Sequence, residues 1–407
     1  MTDIEKIPWP VQGAVYASGL FNHSMQPMVM VLLPLWVVTL NPSPFMIGIV
    51  LGSRFVLPIL FSIHGGAMMD RLGARPVMLG VGLIGAVVPL LIPVAPWIWA
   101  LIVLQMLGGL ADTIGWSGTQ TLIGQLMKGS ALYASRLSFC IRIGHFAGPP
   151  LVGIAWDVLG PWGAFIVLSL WASCAFIAAW LIPSPAVSGK ARSASDTHRS
   201  FKARDLLPRM SDYIAAFKLL AIPGVAFVIM ISVLRHSGIS IQGSFYVVYL
   251  EGIGISGTLI GLFLSAGAVL GAGGALLTGW FVRFFKPTRL LIATVVAGIV
   301  LIVITPLLGT VLLLLVAAAL RGGVMGMSQP LMISTLARYA GAESQGKSVG
   351  LRITANRIVN MLFPVIMGVV VEFAGLENGF YIMGTLALSA VLLVAVHARR
   401  RGGFGEA

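Results

Sequence analysis

Apolar stretches long enough to cross a bilayer follow one another almost without interruption along this chain, and each confines it to a membrane solution. A hydrocarbon core of roughly 30 Å needs about 20 consecutive apolar residues in helical form. Reading the runs in order gives spans at 14–38, 44–68, 75–95, 97–126, 132–157, 161–183, 222–250, 256–282, 288–308, 311–338, 346–372 and 376–398, about twelve in all. None alternates apolar with polar residues, so helices rather than a barrel are expected, because a helix satisfies its backbone polar groups internally. Composition points the same way. Charged residues are 10% of the 407 and hydrophobic residues 58%, against about 25% charged in soluble domains. The expected fold class is an all-α membrane protein.

A net charge of +13 would point to nucleic acid in a soluble protein. Here the cations sit at alternate ends of the spans: Lys6, Arg71, Arg75, Lys128, Arg136, the run from Lys190 to Lys218, Arg283, Lys286, Arg289, Arg338, Lys347 and Arg399 to Arg401. The other side carries only Asp157, Glu251, Glu372 and Glu377. This is a positive-inside pattern, so both termini are expected to be cytoplasmic. The bilayer, not nucleic acid, is the partner of these charges. The start, "MTDIEKIPWP", lacks the features of a removable signal peptide. Cys140 and Cys174 fall inside spans as small apolar residues. No paired carboxylates or ligand-spaced histidines appear, so neither enzymatic chemistry nor a metal or cofactor is expected.

The segment from Arg142, "RIGHFAGPPLVGIAWDVLG", matches that from Arg357, "RIVNMLFPVIMGVVVEFAG", at an offset of 357 − 142 = 215. Pro149 then aligns with Pro364, Gly153 with Gly368, Asp157 with Glu372 and Gly160 with Gly375. A weaker match joins "GAMMDRLGARPVML" from Gly66 to "GWFVRFFKPTRLLI" from Gly279. The chain reads as a duplicated half: one six-helix bundle over 1–183, a polar, basic linker rich in Ser and Pro over 184–211, and a second bundle over 212–407. Residues Asp212 to Leu220 either form a short amphipathic surface helix or begin the seventh span.

Ionisable groups inside spans are expensive and so mark sites and pathways. Arg142 and Arg357, one per half at one depth, are expected to face a shared central site. Further candidate substrate contacts are His145, Asn360, Arg321 and, interrupting the first span, Asn22, His23 and Gln26. The inventory is cationic or neutral, which suits an anion that arginine grips bidentately. Asp112 is the deep carboxylate. It serves either as a proton-coupling group or as the partner of Arg54 or Arg321. Arg235 and His236 are consecutive and cannot both face one cavity, and Arg352, read as near a helix end, is expected to snorkel to lipid phosphate. Trp116, Gln120, Tyr246, Tyr249, Ser328 and Gln329 are available as cavity walls or as packing.

The string Gly66, Asp70, Arg71, Gly73 and Arg75, between the second and third spans, resembles the signature loop of the major facilitator superfamily. That resemblance implies a gating loop that latches the two bundles on the cytoplasmic side; the alternative is a turn that only fixes topology. Gly144, Gly148, Pro149 and Gly153 are similar to the antiporter motif of the family's fifth helix, although Ile154 replaces a glycine and Pro150 is added. The family's fourth-helix arginine is missing: "LIVLQMLGGLAD" has Gln105 there, followed by Gly108 and Gly109. The resemblance, closest to 12-helix bacterial drug/proton antiporters, implies a monomeric secondary transporter with a small-molecule substrate and protons as coupling ion. Export of an organic anion or amphipathic metabolite leads; proton symport of an anionic nutrient or metal chelate is the alternative. A channel or a non-transporting sensor is the reading from another class.

Overall fold

The computed structural model describes residues 7–127, 131–183 and 218–400, so the linker at 184–211 lies outside the described residues. The described residues form twelve α-helices: α1 (Trp9–Thr39), α2 (Pro44–Ser53), α3 (Val56–Leu72), α4 (Ala74–Val94), α5 (Ile98–Leu126), α6 (Ala131–Leu181), α7 (Pro223–Gln242), α8 (Phe245–Gly252), α9 (Gly257–Phe281), α10 (Pro287–Val303), α11 (Val311–Ala374) and α12 (Leu376–Arg400). These are not the twelve spans one for one. The second span is divided between α2 and α3 at Arg54 and Phe55, and the seventh between α7 and α8 at Gly243 and Ser244. Conversely, α6 carries two spans across Gly160, and α11 carries two within 64 residues. Ten stretches are long and apolar enough to cross a membrane. Dividing the 50-residue stretch at Gly160 and adding the 17-residue Pro287–Val303 yields the expected twelve spans. Of the Asp212 to Leu220 segment, 212–217 lie outside the described residues, and the chain passes through a short 3-10 turn at Leu219–Ala221 before α7.

Local sequence explains the repeated plan. Gly160 (φ 71°) and Gly375 (φ 84°) occupy the left-handed region at equivalent points of the repeat, each ending one span where the next begins. Gly73 (φ 89°) makes the same kind of break between α3 and α4. Ser43 and Ser256, separated by 256 − 43 = 213, cap α2 and α9 by accepting from Met46 and Leu259 backbone N–H groups.

The repeat also builds the contact between the bundles. In α9, Gly257 and Gly261 press against the backbone of Gly153 and Pro149 in α6; in α2, Gly48 presses against the backbone of Pro364 in α11, where Gly368 meets Pro44 and Phe45. A side chain at Gly261, Gly48 or Gly368 would collide with main chain, and one at Gly257 would crowd it, so the small residues set the approach. Asp157 accepts from Gly257 N (2.9 Å), Thr258 N (2.8 Å) and Thr258 Oγ1 (2.6 Å), and Glu372 Oε2 accepts from Phe45 N (3.1 Å). Each acid thus sits at the positive end of a helix in the opposite bundle.

Core packing follows the same geography. On the side away from the termini one apolar core unites both bundles, with Leu32, Val50, Val152, Phe245, Phe263 and Met367 among its members. On the terminal side each bundle has its own core, one around Val15, Met78 and Leu122, the other around Val228, Val295 and Leu336. The protein is therefore closed on the side opposite its termini, and its bundles are separately packed on the terminal side. Large exposed residues such as Leu276, Phe373 and Trp99 are the surface a bilayer would cover.

Candidate functional site

Between the bundles, at mid-depth, lies a cavity of about 320 Å³. The N-terminal half contributes Asn22, His23 and Gln26 from α1, Phe55 from the break between α2 and α3, and Asp112, Thr113 and Trp116 from α5. The C-terminal half contributes His236 from α7 and Gln329, Arg352, Ile353, Asn356, Arg357 and Asn360 from α11. Arg352, Asn356, Arg357 and Asn360 fall at i, i+4, i+5 and i+8, one face of a continuous helix.

The wall from the N-terminal half is ordered by hydrogen bonds and ring stacking. Asn22 Nδ2 donates to Ser18 O (3.0 Å), and Ser18 and Thr119 share a hydroxyl contact of 3.2 Å. The His23 and Trp116 rings stack at 4.2 Å and 16°; His145 lies 4.9 Å from His23 on the other helix. Its Nε2 is 3.3 Å from His23 O, which fixes the row Trp116, His23, His145. Asp112 forms an ion pair with Arg54, whose Nη1 also donates to Gln105 Oε1 at 2.9 Å. Gly109 packs on the Arg54 backbone, and Gly108 leaves room for its guanidinium.

The wall from the C-terminal half carries its charge differently. Arg357, half-buried, donates from Nη1 to Pro58 O (3.1 Å) across the bundle boundary. Arg352 is 7% exposed and its Nε has no hydrogen-bond partner among the described residues. The same holds for Oδ1 of Asn360. Asn356 accepts from Ser232 Oγ (2.8 Å). His236 faces the cavity with Nδ1 3.0 Å from Ser232 O, while its neighbour Arg235 turns into the bundle and donates to Ser328 Oγ (2.6 Å) and Met325 O (3.1 Å).

Of the residues singled out from the sequence, Asn22, His23, Gln26, Asp112, Arg357 and Asn360 line this cavity, and His145 supports it from behind. Arg142 is exposed and is not among the lining residues, so the repeat does not bring it to the wall that Arg357 joins. Arg321 lies outside it too, 3% exposed, donating to Gly238 O (2.7 Å) beside Tyr246 and Thr305. Arg352 faces the cavity, not the lipid headgroups. Arg352 is only four residues into the Ser348–Ala374 stretch, and it is its burial and its place in the lining that assign it to the cavity. With Asn356, Phe55 and Thr113, it is a lining residue the sequence reading did not assign to the site. The spacing of polar residues along "RITANRIVN" was the available signal. In the loop string, Gly73 breaks the helix and Arg75 donates to Trp180 O (2.8 Å). The side chains of Asp70 and Arg71 lie outside the described residues, as do the surroundings of Gly66.

A buried guanidinium whose Nε lacks a partner among the described residues, beside a second arginine, can bind a carboxylate or another oxyanion. The lining holds two guanidinium groups and one carboxylate, and that carboxylate is already held by Arg54.

Similar proteins agree with this architecture. A tetracycline resistance protein, class D, from Salmonella ordonez is 26% identical over 155 residues, 38% of this chain and 39% of that protein. A probable sulfoacetate transporter from Cupriavidus necator is 28% identical over 145 residues, 36% of this chain and 34% of its own length. The chain thus aligns with well under half the length of these curated relatives. Among solved structures, a mutant nucleoside transporter superposes with a TM-score of 0.80 at 14% identity, covering 95% of this chain and 99% of that one. A bacterial homologue of the lysosomal transporter Spinster, solved inward-facing and occupied, gives 0.73 at 14%, covering 96% of each chain. These likenesses concern the fold. The model of the Major Facilitator Superfamily matches residues 15–364 and again 240–404, and the chain belongs to that superfamily of membrane transporters.

Proposed function

We propose that this transporter carries a small organic anion by alternating access, with protons as coupling ion and Asp112 as the group that links proton and substrate. The observation that carries the anionic cargo is Arg352, buried against the cavity with its Nε unpartnered and Arg357 beside it on the same helix. A buried cation without a counter-charge is costly, and a substrate that supplies the counter-charge removes that cost on binding. Coupling follows from the pair of Asp112 with Arg54: Asp112 lines the cavity, so its protonation changes the charge network that the substrate meets and links proton and substrate occupancy. The likeness to a probable sulfoacetate transporter supports an anion. The likeness to a tetracycline resistance protein and the glycines of α6 support export.

In this reading the termini are cytoplasmic, the membrane is a bacterial inner membrane, and the structure is the inward-facing state of a two-bundle carrier, 1–183 and 212–407, working as a monomer. The remaining string around Asp70 acts as the cytoplasmic latch. Reconstituted protein in vesicles with an imposed pH gradient tests the proposal. Accumulation of an organic anion that depends on the gradient and is lost in Arg352→Ala is the expected result. Equal flux of a neutral isostere, or flux indifferent to Arg352, would remove the anion site.

A further inference from the structure

The two walls of the central cavity differ in chemistry, and a substrate that touches both must match both. The wall from α11 offers guanidinium and amide groups. The opposite wall offers flat π surface, since Trp116, stacked on His23, and Phe55 both line the space. A short aliphatic anion seated on Arg352 and Arg357 would leave that aromatic surface against water. A cation attracted to Trp116 would meet the two arginines. At about 320 Å³ the cavity lies at the small end of ligand pockets, which limits the body to a ring system of modest size.

We infer that the transported anion is an aromatic or heteroaromatic acid bearing a hydroxyl or amino group, with its acid on Arg352 and Arg357 and its ring against Trp116. The ring substituent answers Asn360, which lines the cavity and whose amide can donate to or accept from an O–H or N–H on the ring. A bare ring leaves that amide without a polar contact in the bound state, at a cost. Three features of one ligand thus answer three features of one cavity: charge for Arg352, planar surface for Trp116, a polar group for Asn360. Contact with both bundles at once also makes such a ligand sensitive to their relative position, which an anion held by α11 alone is not.

The inference rests on the anionic reading above, and the experiment separates the two. Purified full-length protein in detergent is titrated with 4-hydroxybenzoate, benzoate, cyclohexanecarboxylate and benzamide, with melting temperature and equilibrium binding as readouts. The expected affinities fall in the order given, with roughly three- to tenfold between benzoate and cyclohexanecarboxylate, the scale of an aromatic contact, and no binding of benzamide. Trp116→Leu should erase the difference between benzoate and cyclohexanecarboxylate while leaving the latter's affinity in place, and Trp116→Phe should retain it. Asn360→Leu should erase the advantage of the hydroxyl alone. If Trp116→Leu does not fold, the Phe variant and the four-ligand series on the parent protein still decide. Equal binding of cyclohexanecarboxylate and 4-hydroxybenzoate, or a ratio unchanged in a folded Trp116→Leu, overturns the aromatic inference and leaves the anion site standing. Binding of benzamide as tightly as benzoate, or failure of all the acids to bind, overturns both.

Discussion

In the N-terminal half the buried Arg54 meets a carboxylate, Asp112, and the amide of Gln105. In the C-terminal half the buried arginines meet neutral oxygens instead: Arg235 rests on Ser328 and Met325 O, Arg321 on Gly238 O, and Arg352 lines the cavity with its buried Nε unpartnered among the described residues. The halves descend from one plan, with matching helix caps, helix breaks and glycine contacts, yet they use charge in opposite ways. A paired charge can be neutralised and restored from within the protein, which suits coupling. An unpaired one waits for a counter-charge from outside, which suits binding. Duplication supplied the frame, and divergence within it left one half with a paired buried arginine and the other with arginines set on neutral oxygens.

The comparison breaks most decisively if the two cavity-lining arginines of α11 prove dispensable. Arg352→Ala with Arg357→Ala should abolish measurable anion binding, a loss of 100-fold or more on the scale of about 2 to 5 kcal/mol for a buried charge contact, while the protein still inserts and melts cooperatively. Lysine at either position should restore only part, because it cannot form the bidentate contact. Arg142→Ala sharpens the contrast. It stands at the repeat-equivalent of Arg357 but is exposed and off the lining, so its binding affinity should stay within about twofold of the parent. Equilibrium binding of a radiolabelled aromatic acid reads all three variants.

The paired charge predicts a different phenotype. Asp112→Asn should leave anion binding and counterflow exchange within a few-fold of the parent but eliminate accumulation driven by a pH gradient. Because it strands Arg54 in the bundle, it should also destabilise the protein, by up to about 3 to 5 kcal/mol. Combining it with Arg54→Gln should recover much of the melting temperature without recovering gradient-driven uptake or efflux. Full pH-driven transport by Asp112→Asn would detach the pair from coupling and leave it as scaffolding.

What the sequence disclosed follows from what repeats and hydropathy encode. The spans, the repeat that aligns Gly153 with Gly368 and Gly160 with Gly375, and the polar interruptions of α1 were readable, because each depends on residue type along the chain. Arg142 shows the limit. Repeat symmetry fixes depth along a helix, not which side chain reaches a cavity walled mainly by α1, α5 and α11. Arg321 has the right depth too, but its guanidinium turns to Gly238 O inside its own bundle. Distance to a span end points Arg352 to the lipid interface, but depth does not say which way a side chain faces, and Arg352 turns inward to the cavity. The pairing of Asp112 stayed open between Arg54 and Arg321 because residues 58 and 209 positions away are equally distant to a sequence; the fold chose Arg54.

The clamps opposite the termini give the smaller effects. Asp157 accepts three hydrogen bonds from the start of α9 and Glu372 one from the start of α2. The cause is local: at the positions matching Gly257 and Thr258, the N-terminal half has Pro44, which lacks an N–H, and Phe45, which lacks a hydroxyl. Asp157→Ala should therefore shift the population away from this closed state by about tenfold, on the scale of 1 to 2 kcal/mol for a charge at a helix end with its hydrogen bonds. Distance labels across the side opposite the termini, in a background lacking Cys140 and Cys174, measure the shift. Equal open populations in Asp157→Ala and the parent would show that the glycine contacts alone hold this side shut.

The smallest effect belongs to Glu372, whose single bond to Phe45 N should be worth no more than a few-fold in the same measurement. If donor supply is what separates the two clamps, the weaker one can be strengthened from the opposite bundle without touching the acid. Pro44→Gly with Phe45→Thr gives α2 the donor set that α9 already has. In that background Glu372→Ala should cost nearly as much closed population as Asp157→Ala does in the parent. The acid's neighbourhood is otherwise alike, because Gly368 holds the α2 backbone as Gly153 holds that of α9. An unchanged, few-fold effect of Glu372→Ala in the swapped background would assign the difference to the longer, more loosely held glutamate side chain, and the halves would then differ in their acids and not in the helix starts that receive them.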